Sequence, residues 1–322
     1  MTAAPGLIAD IGGTNARFAL VGADGEAERI VVLRCADHAD PYAAAAAFLA
    51  KVRPALPPDR AAFAVASPVT GDVVDLTNHP WRFSIEDVRR RLGLRRLAVV
   101  NDFTAVALGI PHLGPRHRIK VGGGEPAGGM PIAALGPGTG LGVSGLIPAA
   151  DGTWVALASE GGHTTLPACN EREDLIIGRL RALYGHVSAE RALSGPGLVN
   201  LYAALAMLDG QPVTTLPSPT TISRHALDGT SEICRLALDT FFAMLGTVAS
   251  NLALSLGARG GVYIAGGIVP SMTEALTASD FRRRFEDKGR FDDYLAGIPV
   301  YVVTHPYPAF PGLAELVNRR AD

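Results

Sequence analysis

Short apolar runs that end in glycine turns alternate with helix-period stretches along most of the chain. Residues 7–10 and 17–21 are apolar runs either side of Gly12-Gly13-Thr14, the pattern of two paired strands and a tight turn, and residues 30–34 supply a third strand. A helix over residues 41–51 follows, with Pro41 near its start. Residues 63–66 form a short buried strand, and Ser84 caps a helix running to Arg91 with Asp87 at the capping-box position. The apolar strand at residues 97–100 runs directly into Asn101-Asp102.

Residues 111–131 are rich in glycine and proline and lack periodicity, which marks a domain boundary or crossover. Strand patterns return at residues 132–135, 142–147 and 154–158, and helical patterns dominate from Glu171 to Leu256. The stretch 231–256 is the longest and most apolar and predicts a buried central helix. Gly261–Ala265 is a buried strand ending in Gly266-Gly267; residues 298–303 form a last strand and residues 313–320 a last helix. The second half thus echoes the first: an apolar strand, a glycine turn containing threonine, and a second apolar strand. Two such units predict two α/β domains facing each other across a central cleft, where small ligands bind. The division expected is residues 1–110 as a small domain, completed by the C-terminal helix at about 304–322, and residues 111–303 as a large one.

Composition narrows the function. With 322 residues, 48% of them hydrophobic, the chain is large enough for two domains with ample cores. A net charge of −2 gives no reason to expect a nucleic acid or a membrane surface as partner. Cys35, Cys169 and Cys234 have neither zinc-ligand nor redox-motif spacing, and so read as reduced thiols of a cytoplasmic protein. No basic segment leads into a long apolar stretch at the N-terminus, and no uninterrupted run of about 20 apolar residues occurs, so neither a signal peptide nor a membrane span is expected.

Three glycine sites and two polar sites carry candidate chemistry. Asp10-Ile11-Gly12-Gly13-Thr14 is either an ordinary hairpin turn or a phosphate cradle whose aspartate holds a divalent ion through water. In Gly136-Pro137-Gly138-Thr139-Gly140-Leu141-Gly142 four glycines surround Thr139 within seven residues, a density that exposes successive N–H groups to an anion. Gly266-Gly267 is either a packing device or a place where a flat ring lies against the backbone. Neither G-x-G-x-x-G nor a Walker-A sequence occurs, which disfavours Rossmann and P-loop proteins. Asp102 is either the N-cap of the helix after it or a carboxylate placed to take a proton from a substrate hydroxyl. Glu160-Gly161-Gly162-His163 is either a charged surface loop or one side of a pocket that binds vicinal hydroxyls. Glu190 on its own pattern is a capping or surface glutamate.

Taken together the pieces resemble bacterial glucokinases, of the hexokinase superfamily, in the branch without a zinc motif. The resemblance rests on residues 10–17, 100–106, 136–142 and 160–163, on the run from His186 through Glu190 to Tyr202, and on Phe285–Phe291, in the family's order. It implies two ribonuclease-H-like (actin-like) domains and ATP-dependent phosphorylation of the glucose 6-hydroxyl. It further implies Asp102 as general base, and Asn101, Asp102, Glu160, His163 and Glu190 around the sugar. Residues Ala9, Asp10, Ile11, Gly12, Gly13 and Thr14, with Gly138, Thr139 and Gly140, are implied at the ATP phosphates. Gly266 and Gly267 are implied beside the adenosine, and Asp10 at Mg²⁺ through water. Family habit and the long apolar helix point to a homodimer. The segment Tyr307–Ala314 departs from the family's glycine- and alanine-rich turn, which leaves the packing of the last helix unspecified. Competing readings are a kinase for another hexose or an N-acetylated amino sugar, a non-catalytic sugar sensor, and an actin-like or chaperone ATPase.

Overall fold

A computed structural model describes residues 4–77, 79–211 and 215–319. The chain divides into two compact units: the described residues of Met1–His117, Ala156–Ala158 and His305–Asp322, and those of Arg118–Val155 and Ser159–Thr304.

The first unit is built on strands β1 (Gly6–Ile11), β2 (Asn15–Val21), β3 (Ala27–Arg34), β4 (Arg60–Val65), β5 (Val73–Asp75), β6 (Arg82–Ser84) and β7 (Arg96–Asn101). Five of them form a sheet in the order β3-β2-β1-β4-β7. The hairpin strands β1, β2 and β3 run antiparallel, while β1, β4 and β7 run parallel. The central strand β1 is covered on both faces, which is why it reads as an apolar run broken only by Asp10; edge strand β3 is exposed along most of its length. Helices α1 (Pro41–Val52), α2 (Ile85–Arg91) and α3 (Asp102–Gly109) complete the unit, together with a C-terminal helix, Phe310–Asn318. Phe18 centres one core face, stacked on Phe48 at 5.5 Å and edge-on to Phe63 at 6.2 Å.

Three local expectations change. The β5–β6 hairpin was not expected, because three-residue strands carry too little alternation to register. Ser84 does cap α2, accepting the Asp87 N–H at 3.1 Å, but the reciprocal partner is Asp72, which accepts both Ser84 Oγ–H and the Glu86 N–H; Asp87 turns to Arg90 and Arg91. The C-terminal helix begins at Phe310, three residues before its expected start; the expected end at Arg320 lies outside the described residues. Its packing depends on glycine. A Cβ on Gly312 would lie 2.0 Å from the Ala105 carbonyl oxygen and 2.8 Å from Gly109 N, so only glycine lets this helix cross α3 so closely.

A six-stranded sheet, in the second unit except for Ala156–Ala158, repeats the plan with β8 (Arg118–Gly122), β9 (Ile132–Pro137), β10 (Leu141–Pro148), β11 (Trp154–Ser159), β12 (Val262–Ile264) and β13 (Val300–Val303), in the order β11-β10-β9-β12-β13-β8. As with β1, the strand β9 pairs antiparallel with its hairpin partner on one side and parallel with a later strand on the other. Strand β8 closes the far edge antiparallel to β13, inside the segment read as a bare boundary; its Arg-Ile-Lys-Val run alternates, but only over four residues. Helices α4 (Glu171–Tyr184), α5 (Gly195–Leu208), α6 (Pro219–Leu227) and α7 (Glu232–Leu256) follow.

Helix α7 starts at Ser231, whose Oγ accepts the Cys234 N–H at 3.4 Å, and ends at Gly257 in the left-handed region. By length and composition it is long and apolar enough to cross a membrane, although Arg235 and Asp239 keep its uninterrupted apolar run below about 20 residues. In the fold 67% of its most apolar window is buried, with Phe241, Phe242, Leu245 and Ala249 in the core of the unit. Its apolar length is therefore explained within the unit and does not itself argue for a second copy of the chain.

Candidate active site

In the first unit, register assembles one set of residues. Ile11 pairs with Val65 and Val65 with Asn101, so β1, β4 and β7 end level with one another. The turn Gly12–Thr14 and the pair Asn101-Asp102 therefore leave the sheet at the same edge, outside the carboxyl ends of parallel strands, where α/β proteins bind ligands. Gly12 N–H donates to the Asn15 carbonyl at 3.0 Å, Cys35 N–H to Thr14 O at 2.9 Å, and Cys35 Sγ–H to Gly12 O at 3.3 Å. The turn is held from both ends, while the amides of Gly13 and Thr14 make no hydrogen bond among the described residues. Ala9 and Ile11 are fully buried in the centre of the sheet and form the strand that carries Asp10 and the turn.

Asp10 faces Arg17 across the hairpin, Oδ2 to Nη1 at 3.0 Å. Burial lifts its carboxyl above the usual carboxylate range, and Arg17 only partly opposes this through its charge and its hydrogen bond. One guanidinium therefore leaves the carboxylate under-compensated, and a hydrated divalent cation is the kind of further charge that fits it. Among the described residues no group of three or more His, Cys, Asp or Glu could hold a metal by itself. Any Mg²⁺ would thus be shared with phosphate and water.

At the end of β7 the capping role expected of Asp102 belongs to its neighbour. Asn101 is the N-cap, its Oδ1 accepting the N–H groups of Phe103 at 2.9 Å and Thr104 at 3.3 Å. Asp102 is the first helical residue, half-buried, its Oδ1 accepting the Phe103 N–H at 2.8 Å. One residue's shift in the helix start transfers the cap; the sequence pattern cannot resolve a difference that small.

The second unit assembles another set. Glu160, His163 and Glu190 converge: His163 Nε2 lies 4.0 Å from Glu160 Oε2, and His163 Nδ1 lies 4.0 Å from Glu190 Oε1. Gly161 and Gly162 make this possible, because a Cβ on Gly162 would lie 2.0 Å from the Leu141 carbonyl oxygen. Thr165 pairs with Ser188, and Ala189 N–H donates to Thr164 O at 2.8 Å, which ties the Glu160–His163 turn to the segment carrying Glu190.

Glu190 also reaches the glycine turn between β9 and β10. Its Oε2 accepts the Leu141 N–H at 2.8 Å, and a Cβ on Gly140 would lie 2.4 Å from the same oxygen. Within that turn the Gly138 N–H donates to Gly140 O, and its carbonyl accepts the Gly195 N–H at the start of α5, both at 2.8 Å. The amides of Thr139 and Gly140 make no hydrogen bond among the described residues.

Because β12 pairs in parallel with β9, the Gly266-Gly267 turn lies beside this one. Gly266 has φ +85°, and a Cβ there would sit 2.4 Å from Pro137 O, whereas Gly267 faces open space. Gly267 opens into a cavity of about 570 Å³ lined by Leu198, Ser223, Arg224, Leu227, Asp228 and Met272, among others. It is largely apolar with a few polar groups, the character of a small-molecule pocket.

The glucokinase family model matches residues 7–320. The chain belongs to the glucokinase family. It is 60% identical over 312 residues to the glucokinase of Paramagnetospirillum magneticum, covering 97% of each chain. It is 52% identical over 315 residues to the glucokinase of Neisseria meningitidis, covering 98% of this chain and 95% of that one. Among solved structures it superposes on a glucokinase from an Antarctic psychrotroph with a TM-score of 0.88, at 36% identity, covering 98% of this chain and 99% of that chain. These sugar kinases share the actin-like α/β fold, and the two repeated sheets belong to it.

Against this glucokinase frame, sequence reasoning missed Arg17 as the partner of Asp10; the observed register sets the four residues 12–15 between the paired positions Ile11 and Ala16, which brings Asp10 opposite Arg17. It also missed the α6 residues Ser223, Arg224 and Leu227 beside Gly267, for which no local signal exists.

Proposed function

We propose that this chain transfers the γ-phosphoryl group of ATP to the 6-hydroxyl of glucose, giving glucose 6-phosphate and ADP. The observation that carries the reading is the Glu190 carboxylate, which joins a cluster suited to hydroxyl recognition to a glycine turn suited to phosphate. A group that binds polyols next to a group that binds phosphate is what a sugar kinase needs and a bare ATPase does not.

In this reading Glu160, His163 and Glu190 hold sugar hydroxyls, as does Asn101 through its amide. Asp102 accepts the 6-hydroxyl proton as that oxygen bonds to the γ-phosphorus and the bond to the β-phosphate oxygen breaks. The free amides of Gly13, Thr14, Thr139 and Gly140 receive phosphate oxygens. The base and ribose lie in the cavity beside Gly266 and Gly267. Asp10 would hold Mg²⁺ through water; when bound, the ion screens phosphate charge. The under-compensated carboxylate of Asp10 supports this assignment. The reading takes the enzyme to act in the cytoplasm as a homodimer, with family habit as its support; sedimentation velocity tests the assembly. The test of the reaction is ³¹P NMR of the products. Equal amounts of ADP and a phosphomonoester at the glucose 6-position are expected, and free phosphate formed without sugar would contradict it.

A further inference from the structure

The second unit holds a buried ion pair that no step above uses. Arg284, on the short helix Phe281–Glu286, forks onto Glu173 in the first turn of α4, Nη1 to Oε1 at 2.5 Å and Nη2 to Oε2 at 3.1 Å. Arg284 is 5% exposed and Glu173 3%. Arg284 Nη2 also donates to Thr247 Oγ1 of α7 at 2.7 Å. Glu173 makes two more contacts, accepting the Cys169 N–H at 2.8 Å and the Asn170 Nδ2–H at 3.0 Å. Asn170 Oδ1 caps α4 by accepting the Glu173 N–H at 2.9 Å.

An ordinary capping box would explain a glutamate at this position, but it requires neither burial nor a partner on another helix. Here the carboxylate is buried, paired in a planar fork, and bonded to the backbone of the segment that descends from Glu160 and His163. That segment is fastened at two places: residues 164–166 against 187–189, and Cys169-Asn170 against Glu173. The second fastening is anchored through Arg284 to α7. A paired, buried fork fixes a direction as well as a distance.

We infer that Arg284, acting through Glu173, is a positioning residue that sets the Glu160–His163 turn for sugar binding. The inference rests on the reading of Glu160, His163 and Glu190 as the sugar cluster. Arg284 touches no substrate, so its loss acts on glucose affinity and leaves ATP affinity unchanged.

The test measures glucose and ATP binding by calorimetry, with kcat and KM, in the full-length enzyme. Arg284→Ala is expected to weaken glucose binding about tenfold, the scale of a sub-ångström to ångström misplacement. ATP binding should stay at the parent value, and Arg284→Lys should recover part of the loss. Where Arg284→Ala does not fold, the Glu173→Met/Arg284→Met double variant decides, since apolar pairs of similar volume replace buried ion pairs without loss of folding. It should fold and still bind glucose weakly. Thr247→Val, nearly isosteric, should give a smaller loss in the same direction. Parental glucose affinity in every folded variant overturns the inference, as does an equal loss of glucose and ATP affinity. Glu160→Gln, measured alongside, separates the two ideas. If it weakens glucose binding and the pair variants do not, this inference alone fails; if it too binds glucose normally, the sugar-cluster reading falls and this inference with it.

Discussion

Asp10 and Arg17 face each other across the first hairpin, with Arg17 Nη1 3.0 Å from Asp10 Oδ2. The aspartate nevertheless stays above its ordinary pKa of 3.8, because burial outweighs the guanidinium. The folded chain therefore holds this proton to higher pH than the unfolded chain. Stability falls as pH rises from 3.8 through the raised folded value, and the cost is present in full above it. Asp10→Asn removes that cost. Its thermal midpoint at pH 7 should lie above the parent's. The same variant should need about tenfold more Mg²⁺ for half-maximal turnover. A lower midpoint, or an unchanged Mg²⁺ titration, would contradict the account of Asp10.

Two glycines separate the sugar and nucleotide sides by substitution. A methyl on Gly140 meets Glu190 Oε2 at 2.4 Å, while a methyl on Gly267 meets nothing within 4 Å of protein. Gly140→Ala should displace the Glu190 carboxylate and raise the KM for glucose about tenfold. Gly267→Ala should fold as the parent and raise the KM for ATP alone. Steady-state kinetics with each substrate varied in turn distinguishes them; the opposite assignment of the two effects would refute it.

Much of this site was legible in the chain because its devices are local. A strand that stops at Gly12-Gly13-Thr14, or that runs into Asn101-Asp102, announces itself within six residues. Where the reading failed, the cause was either length or distance. β5, β6 and β8 are too short for alternation to stand out. Arg284 and Glu173 are 111 residues apart, and nothing local in either segment foretells that they meet. The cap on α3 moved by one residue, from Asp102 to Asn101, below the precision of any pattern. The C-terminal helix is again a matter of distance: Gly312 is visible in the sequence, but the carbonyl it must clear belongs to Ala105, on a helix that only the fold supplies.

Two histidines in the first unit should give opposite pH dependence of stability. His112 Nε2–H donates to Glu315 Oε2 at 2.9 Å, and that bond raises its pKa above the ordinary 6.5. Its contribution is full below 6.5 and is lost as pH rises through the raised folded value. His305 is held below 6.5 by burial and by His117, whose ring lies 4.5 Å away. The unfolded chain protonates it first, so stability is lost as pH falls from 6.5 toward the lowered folded value. Thermal midpoints between about pH 5 and pH 8 should fall less on acidification in His305→Gln than in the parent, and more in His112→Gln. Both pairs are partly exposed, so shifts of about 1–2 °C are expected. Identical slopes in all three proteins would contradict the assignment.

Asp102 carries the proton in the proposed chemistry. Asp102→Asn should lower kcat by about 10²–10⁴ while nucleotide binding, followed by calorimetry, stays within twofold of the parent. Because Asn101 and not Asp102 caps α3, the substitution should cost little stability. A variant with near-parental kcat would remove Asp102 from the mechanism.

The central claim is that phosphate and sugar recognition serve one reaction, and ATP consumption with a panel of sugars tests it most directly. The purified enzyme is assayed with Mg²⁺-ATP and glucose, mannose, N-acetylglucosamine or no sugar. The account predicts ADP formation that depends on glucose, with background hydrolysis in its absence. ADP formed at the same rate without any sugar would contradict it.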